Sequence, residues 1–400
     1  MSIADFFKKS FPLLAFGLLF TFFSSFGQTF LLSLYLPSIE GLLDISNTAF
    51  GSVYAAATLA SAFTLPWLGA RFDRMDIRRY ALMVIGGMTA ALLLLSFAYH
   101  LFAVAVAFYG LRLFGQGLMS HTAVSAMARY FSADRGKAIG LATLGHPAGE
   151  ALLPIAITLL IGAIGWRGTL QASAMACVLL VAPLSLYLLS KSKVRLRAYA
   201  MQFRATAAAA SSKVSSWAII RERRFWIIAP LVFMFGFTNT ALFFFQLKLG
   251  AARNWSPEWV ASSIAAFALA SAFGMSASGP LVDRLSGRRL FKIFALPYLV
   301  GLAVLIAAAQ PLSYPIALLF MGLSNGAGST IKNAMMAEVY GIEIIGQVRS
   351  LFVTVMVVST GLGPIAFGIL LDAGWSFSGA FAAAVAAMTL AVGNGLRRLK

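Results

Sequence analysis

Twelve apolar runs, each about as long as the roughly 20 residues a helix needs to cross a bilayer, dominate this 400-residue chain. Their spacing predicts membrane helices near residues 11–37, 48–69, 79–98, 101–127, 137–163, 168–189, 225–248, 257–278, 290–309, 313–338, 347–371 and 376–396. Hydrophobic residues make up 60% of the chain and charged ones only 11%, where a soluble domain carries roughly a quarter charged. A water-soluble core cannot hide that much apolar side chain, so the expected class is an all-α integral membrane protein. Lys8 and Lys9 before the first run resemble the start of a signal peptide. The run from Phe11 to Pro37 is too long for a signal core and reads as a retained first helix.

The net charge of +18 raises the question of nucleic acid, and the placement of the charge excludes it. Lys and Arg fall in short clusters between apolar runs, with no basic face interleaved with aromatics. If alternate loops are assigned to one side, that side holds 26 of the 31 basic residues. The exceptions are Arg112, Arg167, Lys248, Arg253 and Lys332. The positive-inside rule then puts both termini and the middle segment in the cytoplasm, for a multi-pass protein of a bacterial inner membrane. The single cysteine, Cys177, excludes a disulfide framework.

An internal repeat divides the chain. Gly69, Asp73, Arg74 and Arg78-Arg79 return as Gly279, Asp283, Arg284 and Arg288-Arg289, each 210 residues later. The same offset carries Tyr130 to Tyr340, Gly136 to Gly346 and Pro154 to Pro364, and Gly165-Trp166 returns as Gly374-Trp375. Residues 1–189 and 225–400 are therefore expected to form two pseudo-symmetric six-helix bundles. The basic, alanine-rich segment 190–224 joins them, as a solvated tether or as a partly helical segment on anionic headgroups.

At these loops the chain resembles the major facilitator superfamily, whose signature between helices 2 and 3 reads close to Gly-x-Leu-x-Asp-Arg-x-Gly-Arg-Arg. The copy from Gly279 to Arg289 fits it with one extra residue, whereas the first copy has Arg71 at the leucine position and Ile77 where the second has Gly287. Arg112-Leu-Phe-Gly115-Gln116-Gly117 looks like the family's helix 4 element, and Gly140, Gly145, Gly149 and Pro154 like its helix 5 element. The run from Tyr130 through Arg135 to Ala142 is similar to the entry to helix 5 in monocarboxylate porters. That branch's acidic, tryptophan-rich start to helix 1 is replaced by Ser24-Ser25-Phe26-Gly27-Gln28. The resemblance implies rocker-type alternating access. It also implies gating by Asp73 and Arg74 near helix 11 and by Asp283 and Arg284 near helix 5.

A charge at the bilayer centre costs roughly 3 kcal/mol, so each needs a partner or a wet cavity. Arg112, Glu150 and Lys332 qualify. Arg112 and Glu150 lie at similar depth on adjacent helices. One reading makes Glu150 a proton carrier whose affinity switches as Arg112 approaches or leaves; the other makes them a permanent ion pair. His146, one turn before Glu150, is either a proton relay or interhelical glue. His121, nine residues after Arg112, falls on the opposite helix face. Lys332 either lines the cavity with Asn325 or snorkels to the surface. Gln116, Ser24, Ser25, Gln28, Asn239 and Gln246 complete the polar candidates. The glycines of helices 5 and 11 read as packing and hinge positions.

The expected function is transport of a small organic anion, proton-coupled symport, with Arg112, Gln116, Lys332, Asn325, Gln28, Asn239 and Gln246 binding substrate. Glu150 and His146 would handle the proton. The alternative is efflux of amphipathic compounds, suggested by Phe22, Phe23, Phe26 and Phe243 to Phe245. Neither a metal-ligand spacing nor a phosphate loop or nucleophile triad is legible, so no enzyme activity and no cofactor are expected. The expected partners are a small anionic solute, protons and lipid, with no nucleic acid and a monomeric chain.

Overall fold

The computed structural model describes residues 3–131, 134–192, 216–341 and 344–398. The segment 193–215 of the expected tether lies outside the described residues. Among them every regular element is a helix. Ten helices are long and apolar enough to cross a membrane, two fewer than the sequence predicts, and both differences can be located. The stretch Arg135–Lys191 counts once, although Gly165 at φ 72° breaks it into the two expected spans. The helix Ser313–Tyr340 is 28 residues long, but Ser324, Asn325, Ser329, Lys332 and Asn333 keep it below the apolarity of its neighbours. The repeat is visible in the backbone. Gly374, the counterpart of Gly165, takes φ 84°, a left-handed conformation that glycine alone adopts without strain.

Two compact units are present: residues Met1–Leu43 with Ala57–Ala210, and Asp44–Ala56 with Ser211–Lys400. In the first, helix Ile3–Phe23 packs on helices Gly145–Ala176 and Ser120–Tyr130, and Ile77–Ser96 packs on Gly145–Ala176. Thr21 Oγ1 donates to the Ala142 carbonyl at 2.6 Å. Of the three helix 5 glycines, Gly145 and Gly149 admit close approach: a Cβ at Gly145 would overlap the Leu18 carbonyl, and one at Gly149 would lie 2.7 Å from the Phe22 carbonyl. Gly140 faces open space, so it is not a packing position. In the second unit, Pro257–Leu285 packs along Ser313–Tyr340 and Arg223–Phe244 along Ile345–Asp372.

Two arginines that break the charge bias have a local explanation. Helix C-termini leave carbonyls without partners, a cost that water cannot relieve inside a membrane. Arg167 donates to the Ser96 and Ala98 carbonyls at 3.1 and 3.2 Å, closing the end of helix Ile77–Ser96. In the other unit Arg253 donates to the carbonyls of Ala308, at 2.9 Å, and of Leu305, closing helix Leu296–Ala307. Each guanidinium also stacks on an aromatic ring, Arg167 on Trp166 at 4.3 Å and Arg253 on Trp255 at 5.2 Å. Both have become structural caps.

The glycine geometry predicts opposite responses to one methyl group. Gly145→Ala should destabilise the protein by about 1–3 kcal/mol through overpacking. Gly140→Ala should be neutral or stabilising by up to about 1 kcal/mol, since only helix propensity changes. Thermal unfolding of the two purified variants, followed by tryptophan fluorescence, checks both signs.

Candidate functional site

The first apolar run is not one helix. Helix Ile3–Phe23 gives way to a 3-10 turn, Ser24–Gly27. Gln28 is extended at ψ 149°, and a short helix resumes at Thr29. Opposite this break the fourth span widens into a π-helix, Leu111–Met119, a rare geometry frequent at functional sites. The two irregular segments touch backbone to backbone through glycines. A Cβ at Gly27 would overlap the Leu111 carbonyl and the Gln116 amide, and one at Gly115 would sit 2.7 Å from the Gly27 nitrogen. Gly115 therefore makes room for the broken turn.

Arg112 projects from the π-segment, is 3% exposed, and donates from Nη1 to the Gly27 carbonyl at 3.2 Å. A helix break frees backbone acceptors, and Arg112 takes one of them. Glu150 follows Gly149 on helix Gly145–Ala176, where Gly149 lies against Phe22 and Ser25. Glu150 is 6% exposed and has no ion-pair partner among the described residues. The Ser25 hydroxyl, also buried, lacks a hydrogen-bond partner among them. His146, half-buried, sets its ring edge-on to Phe30 at 6.3 Å. Gln28 and Gln116 are half-buried at the break and on the π-segment. The first unit thus places an arginine, a serine and two glutamines at or beside one interrupted helix, with Glu150 on a helix that packs against it. His121 packs elsewhere, against Gly69 and Phe72, in keeping with its opposite helix face.

The second unit disperses its candidates. Lys332 sets its ammonium over the Phe235 ring at 5.4 Å, beside Phe294 and Tyr298, which also pack on Phe235. It lies beside an aromatic group that joins helix Arg223–Phe244, through Phe235, to Phe294 and to Tyr298 of helix Leu296–Ala307. Asn325 instead donates to Ser271 Oγ at 3.2 Å on helix Pro257–Leu285, so the two serve different neighbours. The Asn239 side-chain oxygen is buried with no hydrogen-bond partner among the described residues. Gln246 is 0% exposed and accepts from Tyr314 Oη at 3.3 Å, a packing role. Five of the six phenylalanines that suggested efflux are buried. Phe243 packs edge-on to Phe267, and Phe244 packs against Phe50 and Tyr54. They build core.

The charged loops divide similarly. Asp73 pairs with Arg129 within its own unit, and Arg129 also donates to the Phe72 carbonyl at 3.1 Å and lies over that ring. Arg74, Asp283 and Arg284 are exposed. Carboxylates do sit at helix N-termini, though on residues the sequence did not single out. Glu338 accepts from the amides of Gly287 and Arg288 at 2.6 and 2.9 Å. Asp372 accepts from the amides of Asn47 and Thr48 at 3.2 and 2.8 Å. The partners are 50 and more than 300 residues apart in sequence, so no local motif announces them.

Comparison with known proteins agrees with this architecture. The family model of the Major Facilitator Superfamily matches residues 18–319 and 232–396. Human monocarboxylate transporter 11 is 35% identical over 131 residues, 32% of this chain and 25% of that protein. The mouse protein of the same name is 32% identical over 128 residues, covering 32% and 26%. The chain thus spans about a quarter of the length of the curated relatives it matches. The crystal structure of the nucleoside transporter NupG superposes with a TM-score of 0.73 over 99% of this chain and 98% of its own, at 10% identity. A bacterial homologue of the human lysosomal transporter Spinster gives 0.68 over 97% and 94%, at 16% identity; at such identities the likeness is one of fold. With its duplicated loops, all-helical spans and family match along most of its length, this multi-pass membrane chain belongs to the Major Facilitator Superfamily.

Proposed function

We propose that this transporter carries a small organic anion of the monocarboxylate type by alternating access, coupled to a proton. The observation that carries the reading is Glu150: a carboxylate 6% exposed, without an ion-pair partner among the described residues, one residue after the Gly149 that packs on the broken first span. A permanent ion pair would have neutralised it. A lone carboxylate at membrane depth is instead protonated for part of its working cycle, because the ionised form is costly there. Arg112 supplies the cation for the substrate carboxylate, with Ser25, Gln28 and Gln116 as neutral polar contacts. Lys332 and Asn239 are the contributions of residues 225–400. His146 relays the proton to Glu150, one turn along the helix. The partial match to monocarboxylate transporters points to the same solute class.

In this reading residues 1–189 and 225–400 move as two bodies joined by 190–224, with both termini and the basic loops cytoplasmic in a bacterial inner membrane. The loops carrying Asp73, Arg74, Asp283 and Arg284 gate that side, and the protein works as a monomer without a cofactor. Efflux of amphipathic compounds is the weaker reading, because the phenylalanines that favoured it are packed rather than presented to a solute.

Two outcomes test the assignment. In proteoliposomes, Glu150→Gln should abolish the stimulation of monocarboxylate uptake by an inward proton gradient while exchange between internal and external substrate persists. Uptake still driven by the gradient refutes the proton role. In a thermal-shift panel of monocarboxylates, amino acids, sugars and amphipathic drugs, only the monocarboxylates should stabilise the parent. Arg112→Ala should weaken that binding about tenfold or more, the value of a charge-assisted hydrogen bond. A panel in which drugs alone stabilise the parent favours efflux.

A further inference from the structure

Helices Arg223–Phe244 and Ile345–Asp372 run side by side in the second unit, but not with the same contact along their length. Deeper in, glycine brings them together: a Cβ at Gly236 would overlap the Ser359 hydroxyl oxygen. Near the start of Arg223–Phe244 a ring pair replaces that contact, Phe225 on Phe352 with centroids 5.1 Å apart. Rings need more room than a glycine, so the helices spread there. The gap is a groove of about 300 Å³. Trp226, Pro230 and Phe233 wall it on one helix, and Val355 and Val358 on the other.

The side-chain polar groups of this groove are already spent. Thr354, which also lines it, donates from Oγ1 to the Ser350 carbonyl at 3.0 Å, and Trp226 Nε1 donates to the Ile220 carbonyl at 2.9 Å. An ordered water needs about two to four polar partners, so hydrocarbon suits the groove better. The groove also lies on an apolar outer face. Trp226 is 60% exposed, and Leu362 and Ile369, one and three turns beyond Val358 on the same side of their helix, are exposed as well. The end of the groove is basic. Arg223 is one turn before Trp226 and two before Pro230, so the three share a helix face. Arg221 and Arg223 are exposed, and neither has an ion-pair partner among the described residues. Arg224 turns away and donates to the Val339 carbonyl at 2.9 Å. The three arginines outnumber Glu222, which leaves this end net positive. Tryptophan beside arginine, with hydrocarbon-facing residues beyond, is the side-chain order of a membrane–water interface.

We propose that this groove is a binding site for a phospholipid with an anionic headgroup, one acyl chain lying along Trp226, Pro230 and Val358 and the phosphate meeting Arg223 and Arg221. The lipid site is independent of the solute carried and of proton coupling.

Tryptophan fluorescence reads the site in proteoliposomes of the full chain in phosphatidylcholine. Phosphatidylglycerol brominated on its acyl chains is titrated in, with brominated phosphatidylcholine as the neutral comparison, since bromine quenches an indole it touches. The brominated phosphatidylglycerol should quench at the lower mole fraction, and Trp226→Phe should remove the difference between the two lipids. Arg223→Gln should reduce the preference about fivefold, the value of one arginine at an anionic membrane surface. Arg289→Gln, which alters an exposed arginine on helix Gly287–Phe291, should leave it at the parental value. Val358→Phe fills the groove and keeps every arginine, so it should bring quenching by phosphatidylglycerol down to the phosphatidylcholine level; it carries the test if the Trp226 variant misfolds. Equal quenching by the two lipids overturns the site, whether any hydrocarbon or another segment of the chain occupies the groove. A preference that survives Trp226→Phe also overturns it, and so does an equal loss in Arg289→Gln, which would mean general attraction to a basic surface.

Discussion

Inside a bilayer no water meets an unpaired amide or carbonyl, and each one left open costs several kcal/mol. This demand, rather than solute chemistry, accounts for most of the charged side chains found outside the basic loops. Arg167 and Arg253 satisfy carbonyls at two helix ends. Arg112 satisfies one at the break in the first span. Glu338 and Asp372 satisfy amides at two helix starts. With these assigned, two charges at membrane depth have no such backbone duty: Glu150, buried without an ion pair among the described residues, and Lys332, held over a phenylalanine ring. Backbone need sets these two apart from charges that range from the buried Arg112 to the exposed Glu338 and Asp372.

Arg112 belongs on both sides of that division. Its bond to Gly27 is made possible by two deviations from regular helix, the 3-10 turn at Ser24–Gly27 and the π-segment Leu111–Met119. Irregular backbone at this depth is tolerated where protein covers it or a cavity receives it. Gly27, Gly115 and Gly149 give the cover, each letting a neighbouring backbone come closer than any side chain would permit. The same glycines thus bring the freed Gly27 carbonyl within reach of Arg112 and set helix Gly145–Ala176 against Phe22 and Ser25. Packing and site are one construction.

Much of this was legible in the sequence, and the exceptions share a cause. Apolar run lengths located the spans to within a few residues, because burial in lipid leaves a continuous compositional mark. The repeat of 210 residues has a backbone counterpart: Ile77 and Gly287 both open helices, and Gly165 and Gly374 both adopt positive φ. Depth along a helix was enough to single out Arg112, Glu150 and Lys332. The break at Gln28 left no mark, since its flanks are as apolar as the rest of the run. Glu338 and Asp372 were missed because their partners lie far away in sequence. In a membrane chain, polarity or aromaticity alone does not say whether a residue such as Gln246 or a clustered phenylalanine faces a cavity or a neighbouring helix. Gln246 faces Tyr314.

The departures from the repeat are the most informative feature that remains. Duplication gave two halves the same spans, yet Arg112, His146 and Glu150 fall opposite Gly322, Met356 and Thr360. Asp372, in turn, has an alanine, Ala163, at the matching place before Gly165. Two of the three charges at membrane depth lie in the first repeat, while a carboxylate that caps a distant helix start lies in the second. Here the start of helix Pro257–Leu285 is satisfied by its own Ser256, whereas that of Asn47–Gly69 depends on Asp372. Both helices carry a serine cap, and Asn47–Gly69 adds a carboxylate more than 300 residues away that no local motif announces.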